Sequence, residues 1–219
     1  MAFKILLLGL VAAQAVTAHF SVVYPEWRAD TLAEKNMDKY SQWDYPCGGV
    51  PYKAGNITDW PLEGGSIELE LHHPWTYLFI NLGLGANTTN FNISLTPDLL
   101  NVTGKGTLCI DKLPVTLDDI ANGTLASIQV VTSGDSGSAL YNCADIRFTT
   151  TRAKGLSNCS TSDGMVVHTI KEQQENGTSQ DGATDTEDKK NAAGLLGTDK
   201  TVLTTVVGLA VAFSLGLGI

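Results

Sequence analysis

The feature that most constrains the fold is the alternation of apolar and acidic side chains in SIELELH, Ser66–His72. A period of two is typical of a strand with one buried face. Only Thr116–Thr124 has the character of a helical turn, with Thr116 as a candidate N-cap. Further strands are predicted where β-branched and aromatic residues lie between turn signals: Thr76–Leu84, Phe91–Leu95, Ser127–Thr132 and Ala139–Thr150. The pattern predicts an all-β chain folded as an antiparallel sandwich.

The first 18 residues have the layout of a secretory signal peptide. Lys4 provides the basic start, Ile5–Ala13 is apolar, and small residues follow. Cleavage after Ala18 would make His19 the mature N-terminus, whereas a competing small-residue site would leave Val16 first. We favour His19, so residues 1–18 are predicted to be removed.

The other end of the chain resembles an anchor signal. Thr201–Ile219 is free of charge, and no Lys or Arg follows it. This segment is long enough to span a membrane. However, the small residues and short spacer upstream of it favour glycosylphosphatidylinositol (GPI) attachment. We predict attachment at Asn191, with Gly194 as the second choice and 192–219 removed.

The segment 169–191 is polar and acidic, which predicts a disordered, glycosylated stalk. Residues 19–168 then remain as one domain of roughly 150 residues. The formal net charge of -9 argues against nucleic acid as a partner and favours a cation.

Secretion implies an oxidising compartment, so the four cysteines predict two disulfides with three open connectivities. A metal cluster is the weaker interpretation, because no C-x-x-C spacing occurs. The cysteines are Cys47, Cys109, Cys143 and Cys159. Glycosylation sequons, which need exposed positions, stand at Asn56, Asn87, Asn92, Asn101, Asn122, Asn158 and Asn176.

Two adjacent histidines follow the alternating strand. If the alternation continues, His72 points outward with the glutamates and His73 inward with the leucines. An inward histidine is either a core residue or a ligand. An N-terminal His19 favours the ligand, because its α-amino nitrogen, its own ring and a second imidazole would supply three nitrogens in a T-shaped plane. Such a histidine brace suits Cu(II), and its affinity should fall in acid as the amine is protonated.

Several segments occur in an order that is similar to one fungal family: AHF (18–20), YPCGG (45–49), WPLEGGSIELEL (60–71), NLGLG (81–85), IQVVTSGDSG (128–137) and LYNCADI (140–146). The chain resembles the GPI-anchored copper-binding proteins related to lytic polysaccharide monooxygenases, of the copper acquisition factor type. The resemblance implies an immunoglobulin-like sandwich with a Cu(II) brace, and we expect a monomer with one Cu(II) per chain. It also implies anchorage at the plasma membrane or cell wall and a role in copper acquisition or handling, with a copper transporter or a cell-wall glycan as partner.

Carried over residue by residue, the resemblance assigns His19 and His73 as copper ligands, with His72 as the alternative. It adds an aspartate, for which we choose Asp135 in the loop before the last long strand, with Asp145 as the alternative. It also favours the disulfides Cys47–Cys143 and Cys109–Cys159.

A carboxylate ligand would favour Cu(II) and obstruct oxidants, so we predict a binder rather than an enzyme. The alternatives are a copper-dependent polysaccharide monooxygenase and a metal-free wall or adhesion glycoprotein.

Overall fold

The computed structural model describes residues 19–117, 119–134, 137–150 and 156–177. Within these ranges the chain forms ten strands, a short 3-10 helix and one α-helix. The strands are β1 (Phe20–Tyr24), β2 (Ile57–Pro61), β3 (Gly64–Leu71), β4 (Trp75–Leu84), β5 (Ile93–Ser94), β6 (Leu100–Thr103), β7 (Gly106–Pro114), β8 (Leu125–Ser133), β9 (Ala139–Thr149) and β10 (Val166–Thr169). The 3-10 helix is Glu34–Asn36, and α1 is Ile170–Gly177.

The strands form two sheets. The smaller sheet has the order β1-β3-β7, and the larger has the order β10-β6-β4-β8-β9-β2 with β5 paired to β4. The predicted all-β sandwich is confirmed, but one pairing is not antiparallel. β2 runs parallel to β9, because the long segment 25–56 carries the chain from the smaller sheet to an edge of the larger one. Such a crossover leaves no local sequence signal.

The core lies between the sheets and is made by alternate residues of their strands. Ile67, Leu69 and Leu71 of β3 are at most 2% exposed. They join a cluster from the larger sheet that includes Leu78, Ile80, Leu82, Ile128, Val130, Leu140, Ile146 and Phe148. Burying one such side chain stabilises the fold by about 1.5–3 kcal/mol. This cluster fixes the register of β3, and therefore the direction in which the residues after it point.

Part of the other face of β8 and β9 is covered by the segment 25–56. Cys47 is bonded to Cys143 of β9, the Arg28 amide donates to the Cys143 carbonyl at 2.8 Å, and the Tyr141 amide donates to the Gln42 carbonyl at 2.7 Å. The second disulfide, Cys109–Cys159, joins β7 to the chain before β10. Both pairings are those that the resemblance implies.

Most predicted strands are present, with corrections at two places. The segment Phe91–Leu95 contains only the two-residue β5, and the described residues of Thr116–Thr124 hold turns rather than a helix. Gly123 has a positive φ of 90° and donates to the Phe148 carbonyl at 2.7 Å. The local chain therefore serves to close a turn against the end of β9.

The predicted stalk is wrong at its start, because Thr169 ends β10 and α1 follows directly. The Glu172 amide donates to the Thr169 hydroxyl at 3.2 Å, and the Thr169 amide donates to the Glu172 carboxylate at 2.9 Å. This reciprocal pair is a capping box, which satisfies two amides at the helix start. The hydrogen bonds from Thr169 also lower the pKa of Glu172. The rest of the stalk, Asn191 and the apolar tail lie outside the described residues.

Five sequon asparagines are exposed, as a glycan would require: Asn56, Asn87, Asn92, Asn122 and Asn158. Asn101 departs from that expectation, since it is buried in β6 and its amide donates to the Gln173 side chain at 3.0 Å. Its neighbour β10 and the helix after it cover the position, and sequon spacing carries no information about such packing. Asn176 lies in α1. In the parts of the chain that the structure describes, no helix is both long and apolar enough to cross a membrane.

Candidate metal centre

Antiparallel pairing of β1 with β3 brings the two predicted histidine sites together. Phe20 pairs with Leu71, and the His72 amide donates to the His19 carbonyl at 3.3 Å. His19 therefore lies beside the residue pair that follows β3. His19, His72 and His73 line one small pocket at this end of the sandwich, together with Phe20, Leu71, Thr76 and Thr132.

The two adjacent histidines face opposite ways, as the alternation predicts. His72 is exposed, whereas His73 is only 6% exposed and continues the buried face of β3. Both ring nitrogens of His73 are buried without a hydrogen-bond partner, and so is the hydroxyl of Thr132 in the same pocket. Each unsatisfied buried polar atom costs about 1–3 kcal/mol. An imidazole in this state is unfavourable as a core residue, which marks His73 as a candidate ligand.

The environment of His19 favours the neutral form of its imidazole. Its pKa is lowered, first by burial and then by the nearby rings of His72 and His73. A lowered pKa keeps the His19 imidazole neutral to a more acidic pH than an ordinary histidine. Because only a neutral imidazole coordinates a metal, the cluster favours ligation near neutral pH.

Imidazole nitrogens are the donors that the described residues bring together at this end of the sandwich. The described residues contain no group of three or more His, Cys, Asp or Glu side chains placed to hold a metal ion. A histidine brace does not need one, because two imidazoles are completed by the α-amino group of His19. Residues 1–18, whose removal would create that amine, lie outside the described residues. The partnerless ring of His73 beside His19 is the feature that fits this group.

The preferred carboxylate, Asp135, lies outside the described residues, but its neighbour does not. Gly134 is placed so that a β-carbon on it would lie 3.4 Å from Nδ1 of His73. The last described residue before Asp135 therefore lies beside the buried ring. The Gly137 amide donates to the Gly134 carbonyl at 2.9 Å.

The alternative carboxylate, Asp145, is not at the histidines. Asp145 pairs with Ser127, whereas Thr132 of the histidine pocket pairs with Leu140, five positions along β9. That separation is about 17 Å along the strand.

The Asp145 oxygens are also fully used. The carboxylate accepts from the Arg28 guanidinium at 2.9 Å, from the Ser127 hydroxyl at 2.7 Å and from the Lys53 amide at 2.9 Å. Asp145 is 1% exposed. These bonds hold the long segment against β9, and they favour Asp135 over Asp145 as the predicted ligand.

Sequence reasoning missed the surroundings of the histidines. His19 and His72 line a wide groove whose other wall is part of the segment 25–56, including Met37 and Trp43, which are 64% and 49% exposed. That segment has no periodic pattern from which its position could be predicted.

The fold is a two-sheet sandwich in which the residue after the predicted leader lies beside a buried histidine whose ring nitrogens have no partner. The chain belongs to the copper acquisition factor BIM1-like domain family, whose model matches residues 17–164. The matched range includes His19, His73 and all four cysteines.

Three relatives are similar over most of the domain. One is the lytic polysaccharide monooxygenase-like protein X325 of Aspergillus fumigatus, 31% identical, with 65% of this chain and 71% of that protein covered. The protein of the same name from Hypocrea jecorina is 34% identical, with 65% and 68% covered. The lytic polysaccharide monooxygenase-like protein ham-7 of Neurospora crassa is 32% identical, with 65% and 69% covered.

Proposed function

We propose that this chain is a cell-surface Cu(II)-binding protein that holds one copper ion through His19 and His73 and acts in copper acquisition or handling. The observation that carries the proposal is the buried His73 ring. Both of its nitrogens lack hydrogen-bond partners, and the ring lines the same pocket as His19. Membership of the copper acquisition factor family supports copper rather than another metal ion that prefers nitrogen ligands.

His19 contributes two nitrogens in this proposal, its ring and the amine created by removal of the leader. His73 contributes the third nitrogen. Its position is fixed by the core, because His73 continues the buried face of β3. Burial shields His73 from water, His19 is half-buried, and the exposed His72 stands at the rim. A set of nitrogen donors of this kind gives Cu(II) the ligand type that it prefers.

Asp135 completes the proposed site, supported by the position of Gly134, on which a β-carbon would lie 3.4 Å from Nδ1 of His73. In the variant Asp135→Ala, Cu(II) affinity should fall by about 10-fold, because the three nitrogens remain while one anionic oxygen is lost. The electron paramagnetic resonance spectrum of Cu(II) should change, and peroxide production with ascorbate should rise. Titration and spectroscopy of the secreted protein measure these effects.

Ser136→Ala is the control for Asp135→Ala, since it alters the same loop without removing a carboxylate. An unchanged spectrum and affinity in Asp135→Ala would remove the aspartate from the site and leave the two histidines in place.

The proposal excludes oxidative cleavage of polysaccharide, although the similar proteins carry monooxygenase-like names. The copper-loaded protein with ascorbate and peroxide should release no oxidised oligosaccharides from cellulose, chitin or xylan. Mass spectrometry of the soluble products tests this. Release that is abolished by His73→Ala would establish the enzyme instead.

We also propose that a GPI anchor at Asn191 holds the domain on the outer face of the plasma membrane, on the strength of the tail sequence. Phosphatidylinositol-specific phospholipase should then release most of the protein from intact cells, and mature peptides should end at Asn191. Recovery of residues 201–219 in the mature protein would point to a membrane span.

A further inference from the structure

A second groove lies on the outer face of the larger sheet, opposite the core. Its floor is the outward side of β4, β8 and β9, and it holds about 900 Å³ of empty space, part of it open to solvent. Its walls include Tyr45 from the segment 25–56 and Phe91 from the chain before β5. Side chains alternate across the sheet, so Thr132 reaches the histidine pocket while its neighbours Val131 and Ser133 face this groove.

The lining is aromatic and uncharged. Five rings contribute to it: Tyr45, Tyr77, Phe79, Phe91 and Tyr141. The described residues that line it include two amides, Asn81 and Gln129, and no Asp, Glu, Lys or Arg. In a chain with a formal net charge of -9, an uncharged groove of this size selects for a neutral ligand.

Two of the rings and both amides are held in place before any ligand binds. Tyr45 packs edge-on against Tyr141, with ring centroids 5.4 Å apart and planes at 89°, and its hydroxyl donates to the Thr89 carbonyl at 3.4 Å. The Asn81 amide donates to Gln129 at 3.1 Å, and the Gln129 amide donates to the Pro46 carbonyl at 2.9 Å. A site fixed in this way loses little side-chain entropy on binding.

We propose that this groove binds a neutral polysaccharide chain from outside the protein. The apolar C–H faces of hexose rings would stack on the tyrosines and phenylalanines, and sugar hydroxyls would bond with the free donors and acceptors of the two amides and the tyrosine hydroxyls. Such rings with an apolar body and a polar tip suit a ligand that is apolar on its faces and polar on its edges. This inference does not depend on copper.

Binding is tested by calorimetry of the secreted protein with laminarihexaose, cellohexaose and the charged hexagalacturonate. At least one neutral oligosaccharide should bind, and hexagalacturonate should bind at least about 10-fold more weakly because its carboxylates find no cation in the groove. Affinity should be the same after copper is removed with a chelator. Absence of binding to both neutral probes, or binding that requires copper, would overturn the proposal.

Tyr45→Ala should weaken the binding by about 3- to 10-fold through loss of one stacking surface, and Tyr45→Ala with Tyr77→Ala should weaken it further. Trp43→Ala is the matched control, because this residue lies in the same segment at similar exposure but lines the other groove. The oligosaccharide affinity of Trp43→Ala should be unchanged. Thermal unfolding verifies that all variants are folded. Equal losses in Trp43→Ala and Tyr45→Ala would contradict this location.

A glycan attached to the protein itself is the other possible occupant of the groove, and it must be distinguished from an outside polysaccharide. Protein treated with an endoglycosidase and untreated protein should bind the oligosaccharide with equal affinity. Binding that appears only after the glycans are removed would mean that an attached glycan fills the groove, and the proposal of an outside partner would be wrong.

Discussion

Replacing His73 with alanine should reduce Cu(II) affinity by more than about 100-fold, beyond the 10- to 100-fold that loss of an outer-shell partner costs. His73 is the only histidine of the described residues whose ring is buried without a partner, and it lies in one pocket with His19. Removing it leaves one imidazole and the amine. Isothermal titration of the copper-free secreted protein measures the change.

His72→Ala is the matched control, since it removes the adjacent and exposed imidazole. Its Cu(II) affinity should change by less than about 3-fold, an amount that fits an electrostatic contribution through solvent. Loss of copper in His72→Ala with retention in His73→Ala would reverse the assignment. Stability should change little in His73→Ala, because the cavity left behind is offset by removal of two unsatisfied nitrogens.

Asp145→Ala should lower the free energy of unfolding by about 3–5 kcal/mol, a large share of the roughly 5–15 kcal/mol of a typical domain. The change leaves the Arg28 guanidinium buried at 6% exposure without its carboxylate. It also removes the acceptor for the Ser127 hydroxyl and the Lys53 amide. Urea denaturation followed by fluorescence measures the loss.

Asp59→Ala is the control for that charge removal. Asp59 pairs with Arg147 at the surface, and both side chains are 52% exposed, so its loss should cost less than about 1 kcal/mol. Similar costs in both aspartate variants would contradict the structural role of Asp145. The domain should still bind Cu(II) in Asp145→Ala wherever it remains folded, because the carboxylate is not at the histidines.

The opposite orientations of His72 and His73 were predictable from the sequence, because they follow a strand, β3, that has one buried face. The alternation through Ile67, Leu69 and Leu71 extends to His73 because the core holds β3 in one register. The partner of β3 was not predictable, since FSVVY of β1 begins one residue after the predicted leader and carries no turn signal. Pairing of β1 with β3 is what brings His19 to the site.

Long-range contacts account for the other differences. Arg28 bonds to Asp145 across 117 positions, and no local pattern in the segment 25–56 indicates that contact. β2 joins β9 in parallel for the same reason. The helix start at Thr169 was different, because Thr169 and Glu172 have capping-box spacing, and only the polar composition around them hid the signal.

The central claim is tested most directly by N-terminal sequencing of the secreted protein combined with metal analysis of the same sample. We predict His19 as the first residue and about one copper per chain, because the brace requires the amine of that residue. A mature chain that begins at Val16, or one that begins at His19 and takes up no copper when Cu(II) is supplied, would contradict the account.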